Sequence, residues 1–197
     1  MKLLRNIFTF IGFSVTLLFV IAFIKFDLGT KFKQASQLDP QAMGLYMNMA
    51  DIVLNTGNAA EGMIRKVKIQ KDISNDDVLE SLNSIAIQRG IKPVGDLPLS
   101  AEVEARTGEK QRYVRVLSYC NPTIAMKMVD FSKAYGAFLP CRIVIMEDKN
   151  GDRWMYTMAL ELMISGGKTL PPDMLEYGNK VRKTIYDMMD LAAKGEF

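Results

Sequence analysis

The sequence predicts an α+β domain, a small mixed or antiparallel sheet with helices packed mainly on one face, preceded by one transmembrane helix. Three observations carry that class. Asn6 to Ile24 run without a charge. Arg142 to Glu147 and Arg153 to Ala159 are strand-like, and the segment between them contains Asn150-Gly151, the pair favoured by type I′ hairpin turns. Around that hairpin, strand-like and helix-like segments alternate irregularly, which argues against a doubly wound parallel sheet.

The uncharged run covers roughly 28 Å as a helix, close to the thickness of a bilayer core. A cleaved signal peptide would have a shorter apolar stretch ending at a small-x-small site. Here the run ends Ala22-Phe23-Ile24-Lys25, so an uncleaved signal-anchor is expected. The α-amino group, Lys2 and Arg5 precede the span, and Lys25, Lys31 and Lys33 follow it, so the charge rule nearly balances. The short basic leader favours a cytoplasmic N-terminus with the domain exported; a domain facing the cytoplasm is the alternative. Thr9, Gly12 and Thr16 share one side of the helix, where small residues let a second membrane helix approach closely.

Next comes a membrane-proximal helix, with Asp39 as N-cap, Pro40 at its first position and Thr56-Gly57-Asn58 as its stop. Met43, Met47, Ala50 and Leu54 form an apolar side expected to pack on the chain's own domain, with a protein partner or membrane lipid as the alternatives. Met43 and Met47 are the partner-binding candidates of that face. The expected organisation is residues 1–33 as anchor and flanks, 34–62 as this helix and 63–197 as the α+β domain.

Within the domain, Ile64 to Gln70 reads as a strand. Ser74 caps a helix whose buried stripe is Val78, Leu82, Ile85 and Ala86 and which Gly90 ends. A short strand over Ile91 to Val94, a helix over Leu99 to Thr107 capped by Ser100 and a strand over Gln111 to Tyr119 follow. Asn121 and Pro122 then open a helix running to about Tyr135. After the hairpin, Pro172 to Ala193 carries Met174, Gly178, Val181, Ile185, Met188 and Ala192 as a stripe for docking on the sheet or, less simply, for a dimer seam.

Composition narrows the function. The 197 residues are 49% hydrophobic, and Lys+Arg 25 against Asp+Glu 22 gives a net charge of +3 with no basic tract, so no nucleic-acid partner is expected. The absence of histidine excludes His-based acid/base and nucleophilic catalysis and His-ligated zinc or haem within this sequence. Asp148, Asn150 and Asp152 superficially resemble a calcium loop, but the glycine stands too early and Ala159 occupies the place of the bidentate glutamate. The chemistry left is the pair Cys120 and Cys141, the candidate cofactor-binding residues, whose spacing fits neither a CxxC redox motif nor a zinc ribbon. In an exported domain they can form a disulfide worth about 3 kcal/mol in the chain-entropy model. As thiols they can bind a soft ion such as Cu(I), with thioethers from Met146, Met155 or Met158. No cofactor or metal is specified beyond that.

Tyr119-Cys120-Asn121-Pro122, then Ala125, then Leu139-Pro140-Cys141-Arg142 leading into Ile143-Val144-Ile145 resemble the domain-of-unknown-function family 302 over roughly Ile64 to Ala159. The resemblance implies a small α+β domain, often a dimer, without established activity. It also implies that Cys120 and Cys141 lie close in space, which requires an antiparallel return of the chain between them. The expected function is a non-catalytic, single-pass membrane protein, an accessory subunit of a membrane complex or a homodimer. The alternative is a membrane-tethered redox or soft-ligand-binding protein using the two cysteines.

Overall fold

The structure, a computed structural model, describes residues 2–197 apart from the side chain of Leu3. Met1, whose α-amino group counts among the leading charges, lies outside them. The chain divides into two compact units, Met1–Asp39 and Pro40–Phe197.

In the first unit, α1 (Lys2–Lys25) is continuous through the uncharged run, and its part Leu4–Lys25 is long and apolar enough to cross a membrane. Such a run meets no helix breaker, and every backbone group inside it is paired within the helix, which is what a lipid environment demands. Asp27 then adopts a left-handed conformation (φ 47°) that interrupts the helix before α2 (Leu28–Ala35), an element the sequence reading did not anticipate.

The second unit begins with α3 (Ala42–Thr56). Its first helical bond runs from the Leu45 amide to the Gln41 carbonyl, so Asp39 and Pro40 stand before the helix and not at its cap. Gly57 ends it at φ 67°, the left-handed C-cap expected of glycine there. The face that packs is also different from the expected one. Met43, Met47 and Leu54 are 59%, 56% and 82% exposed, whereas Tyr46 donates its hydroxyl to the Gly166 carbonyl at 2.6 Å and Met49 and Val53 pack on Gly62. At Gly62 a Cβ would stand 2.8 Å from Met49 Cγ and 3.1 Å from the Met49 carbonyl oxygen, so the close approach requires glycine.

The sheet comprises β1 (Ile64–Lys68), β2 (Lys92–Leu97), β3 (Val114–Cys120), β4 (Cys141–Glu147) and β5 (Arg153–Met158) in the order β1-β5-β4-β3-β2, with all neighbours antiparallel. Val67, Leu117, Tyr119, Ile143, Ile145 and Met155 point to one face and meet the helices. On the other face Val116, Val144, Met146, Trp154 and Tyr156 are only half-buried. The covering helices are α4 (Asn75–Gln88) and α8 (Pro172–Ala192). Val78, Leu82, Ile85 and Ala86 of α4 are buried, as are Met174, Gly178, Ile185, Met188 and Ala192 of α8, while Val181 is half-buried. Ser74 accepts the Asp77 amide and Asp77 reaches back to the Ser74 amide, a complete capping box.

Two further helices depart from the sequence expectation. In α5 (Leu99–Thr107) the N-cap position is Pro98, because the Ser100 hydroxyl is drawn to the strand beside it and bonds both the amide and the carbonyl of Val114. Helix α6 (Pro122–Phe131) stops at an extended Ser132 and does not continue to Tyr135; a 3₁₀ turn over Lys133–Phe138 follows. A short α7 (Glu161–Ser165), unmarked by any cap signal, leads from the hairpin toward α8.

Candidate functional site

The hairpin turn settles the calcium question. Asp148 Oδ1 accepts the amides of Asn150 and Asp152 at 2.8 and 3.0 Å, its Oδ2 accepts the Trp154 indole, and the Asp152 carboxylate pairs with Lys68 at 2.6 Å. These carboxylates build the turn. Among the described residues no group of three or more His, Cys, Asp or Glu is arranged to hold a metal.

The two cysteines meet at one end of the sheet. Cys120 is the last residue of β3 and Cys141 the first of β4, and the ladder pairs Cys141 with Tyr119, the residue before Cys120. The chain makes this return through α6 and the 3₁₀ turn, an antiparallel crossing that brings the end of one strand back to the start of the next. Local signals place both strand ends. Asn121 leaves the strand by capping α6, its Oδ1 accepting the Ile124 amide at 3.0 Å, and its side-chain amide donates to the Gly90 carbonyl at 3.0 Å. A cis Leu139–Pro140 peptide precedes Cys141.

Both cysteines are free thiols. They border one cavity of about 70 Å³ between the sheet end, α6 and α8. Its other walls include Ile124 and Met128 from α6, Tyr135 and Phe138 from the 3₁₀ turn, and Met163 from α7. The lining contains no Asp, Glu, Lys or Arg. Its polar groups are already engaged: Tyr119 donates to Asn83 Oδ1 at 3.1 Å, Tyr135 donates to the Met163 carbonyl at 3.0 Å, and Asn121 is held as above. Burial pushes the Cys141 thiol from 9.0 up to about 11, with the neighbouring Cys120 adding to the rise and Arg142 opposing it. Burial also raises Cys120. Two neutral thiols in apolar surroundings are poor nucleophiles, and no base stands in the lining to activate them.

The thioethers singled out from the sequence are not those of the cavity. Met155 is fully buried in the core, Met146 pairs with Val114 at the far end of β4, and Met158 borders an adjoining cavity with Cys141 but not with Cys120. Met128 and Met163 take their place. The apolar spacing of Ile124 and Met128 on α6 was a visible signal for the first; nothing local marked Met163, Tyr135 or Phe138.

The remaining candidates lie elsewhere. Thr9 and Thr16 are exposed on α1, donating their hydroxyls to the carbonyls of Arg5 and Gly12, and a Cβ on Gly12 would meet nothing within 4 Å. Met43 and Met47 are exposed on α3.

A solved structure described as that of an uncharacterized conserved protein DUF302 from Bacillus stearothermophilus is similar at 18% identity and a TM-score of 0.53, covering 65% of this chain and 96% of its own. That likeness speaks for the fold alone. No curated protein matches. The family described as "Domain of unknown function DUF302" matches residues 65–192, a span that extends past the hairpin to take in α8, which the sequence resemblance had left outside. The motif-bearing strand ends, the antiparallel sheet and the family match agree, and the chain belongs to the DUF302 family.

Proposed function

We propose that this chain is a single-pass, membrane-anchored and non-catalytic binding protein whose ligand site is the cavity shared by Cys120 and Cys141. The observation that carries the reading is the composition of that cavity: apolar walls, the neutral thiol of Cys141, no acid/base group and no uncommitted polar side chain. Such a lining favours holding over turnover, since general acid/base chemistry needs a titratable group poised near neutrality. The anchor is supported by α1, whose length and composition suit a membrane span. The short leader with Lys2 and Arg5 supports an N-terminus in the cytoplasm and an exported domain. Protein purified in mild detergent from its native membrane is expected to sediment with the membrane fraction beforehand and to carry a ligand that protects both thiols from maleimide. Free thiols that label fully in the native membrane would contradict the reading. Alkaline phosphatase fused after Lys33 tests the orientation, and an inactive fusion would reverse it.

A second reading, a subunit docked on a membrane protein partner, is favoured by the exposed face of α3. Met43, Met47 and Leu54 leave an apolar strip in water, and flexible thioethers suit an adaptable contact surface. Mass measurement of the detergent-solubilised complex tests it, and a partner-free monomer would count against it.

A further inference from the structure

We infer that the cleft between the 3₁₀ turn, the end of β5 and α7 binds a long-chain fatty acid, with the acyl chain on its apolar walls and the carboxylate on Lys168. The cleft has a volume of about 580 Å³. It adjoins the cavity bordered by the cysteines, and Tyr135, Phe138, Met163 and Ile164 line both, but neither cysteine belongs to it. The inference thus goes beyond the reading of the thiol cavity and takes from that proposal only the membrane anchor. Local structure builds the walls. Helix α6 stops at an extended Ser132, and Phe131 and Phe138 on either side of the stop stay 46% and 37% exposed although both line the cleft. The Tyr135 hydroxyl ties this wall to the Met163 carbonyl of α7 at 3.0 Å. Beyond α7, a Cβ on Gly166 would collide with the Leu162 carbonyl, and the Gly166 carbonyl accepts the Tyr46 hydroxyl of α3, so the chain is held on that side as well.

The lining discriminates among ligand classes. Its volume falls within the roughly 300–1,000 Å³ of small-molecule sites, which are mostly apolar with a few polar groups that fix orientation. Phe131, Phe138, Met63, Met158 and Leu162 supply apolar surface that a covering apolar ligand removes from water, and unbranched thioethers adapt to a flexible chain. Among the lining side chains only Ser132, Tyr135 and Lys168 are polar, and the Tyr135 hydroxyl is already spent on Met163. A sugar or nucleotide buried here would leave most of its polar groups without partners. A divalent cation would find no carboxylate, imidazole or thiolate. Lys168 is exposed and is the one charged residue of the lining, with no Asp or Glu beside it there. Its flexible four-carbon stem can carry the ammonium to an anion at the mouth of the cleft. One cation beside apolar walls is complementary to one anionic head on an apolar chain. A membrane tether keeps the domain beside a standing supply of such amphiphiles.

The test uses the full-length chain in nanodiscs of phosphatidylcholine, photolabelled with a palmitate analogue that carries a diazirine on its chain, and locates the label by peptide mass spectrometry. Label is expected on residues 131–138 and 162–170, in addition to α1, which meets lipid directly and serves as the internal reference. Unlabelled palmitate should displace the label from the cleft, and methyl palmitate, which lacks the charge, should need about 10-fold more. Lys168→Gln should lower cleft labelling about 10-fold, and so should Ala134→Trp, which places bulk at an exposed position of the cleft wall, with circular dichroism and α1 labelling unchanged in both. Label confined to α1, cleft labelling that survives both variants, or equal displacement by palmitate and its methyl ester would overturn the assignment. Displacement by palmitoyl-lysophosphatidate at lower concentration than by palmitate would also overturn it, in favour of a lysolipid head. Failure of the anchor reads differently, because label would then persist on the cleft and vanish from α1. The thiol cavity is read separately by maleimide protection, since neither cysteine lines this cleft.

Discussion

Cys141 and Ser74 show how differently single residues announce themselves. The cysteine's properties come from burial, which holds its thiol neutral up to about 11. In the Cys120→Ser chain, the alkylation rate of Cys141 is therefore expected to climb about tenfold per pH unit without levelling below pH 10, and a plateau near pH 9 would contradict this. The sign for stability follows from linkage: the folded state keeps the proton longer than the unfolded state, so the contribution of this thiol is constant below pH 9 and is eroded between about 9 and 11. Ser74, by contrast, was legible from sequence because both halves of its capping box lie within one helical turn. Replacing it with Ala should cost about 1 kcal/mol in denaturant unfolding, and a loss under 0.3 kcal/mol would show the cap to be idle. Ser100 looked like the same signal and was not one, since its hydroxyl found Val114 in a neighbouring strand, a partner no local pattern reveals.

At the scale of elements, periodicity was reliable where a helix meets a sheet and misleading where it meets little. The stripes of α4 and α8 are buried largely as their spacing indicates. In α3 the apolar side Met43, Met47 and Leu54 stayed in water, because Tyr46 and Val53 fasten the helix from another side through Gly166 and Gly62. Tyr46→Phe should then lower stability by about 1 kcal/mol, whereas Met43→Gln with Met47→Gln should change it by less than about 0.5 kcal/mol. A large loss in the double methionine variant would mean that this face packs after all. The early end of α6 was likewise invisible in sequence. Tyr135 and Phe138 sit over the cavity in a 3₁₀ turn, and the Tyr135 bond to the Met163 carbonyl is a tertiary preference that overrides helix propensity.

For the molecule as a whole, the class, the hairpin and the membrane-length helix could be read from the chain, while the strand order could not. The order β1-β5-β4-β3-β2 depends on how α6 returns the chain between β3 and β4, and helix length alone permitted either direction. That return decides the site, since a parallel crossing would have left Cys120 and Cys141 at opposite edges of the sheet. The core of the second unit is closed by its own helices, so residues 40–197 alone are expected to fold with a cooperative thermal transition; a fragment unfolded by circular dichroism would contradict this. The central claim is that the antiparallel return brings Cys120 and Cys141, distant in sequence, to one end of the sheet, within reach of one bifunctional reagent. Reaction of the full-length, reduced chain with dibromobimane tests it most directly. The account predicts one reagent per chain by mass, with both cysteines alkylated and bimane fluorescence that disappears in either Cys→Ser variant; two singly attached reagents per chain without fluorescence would contradict it.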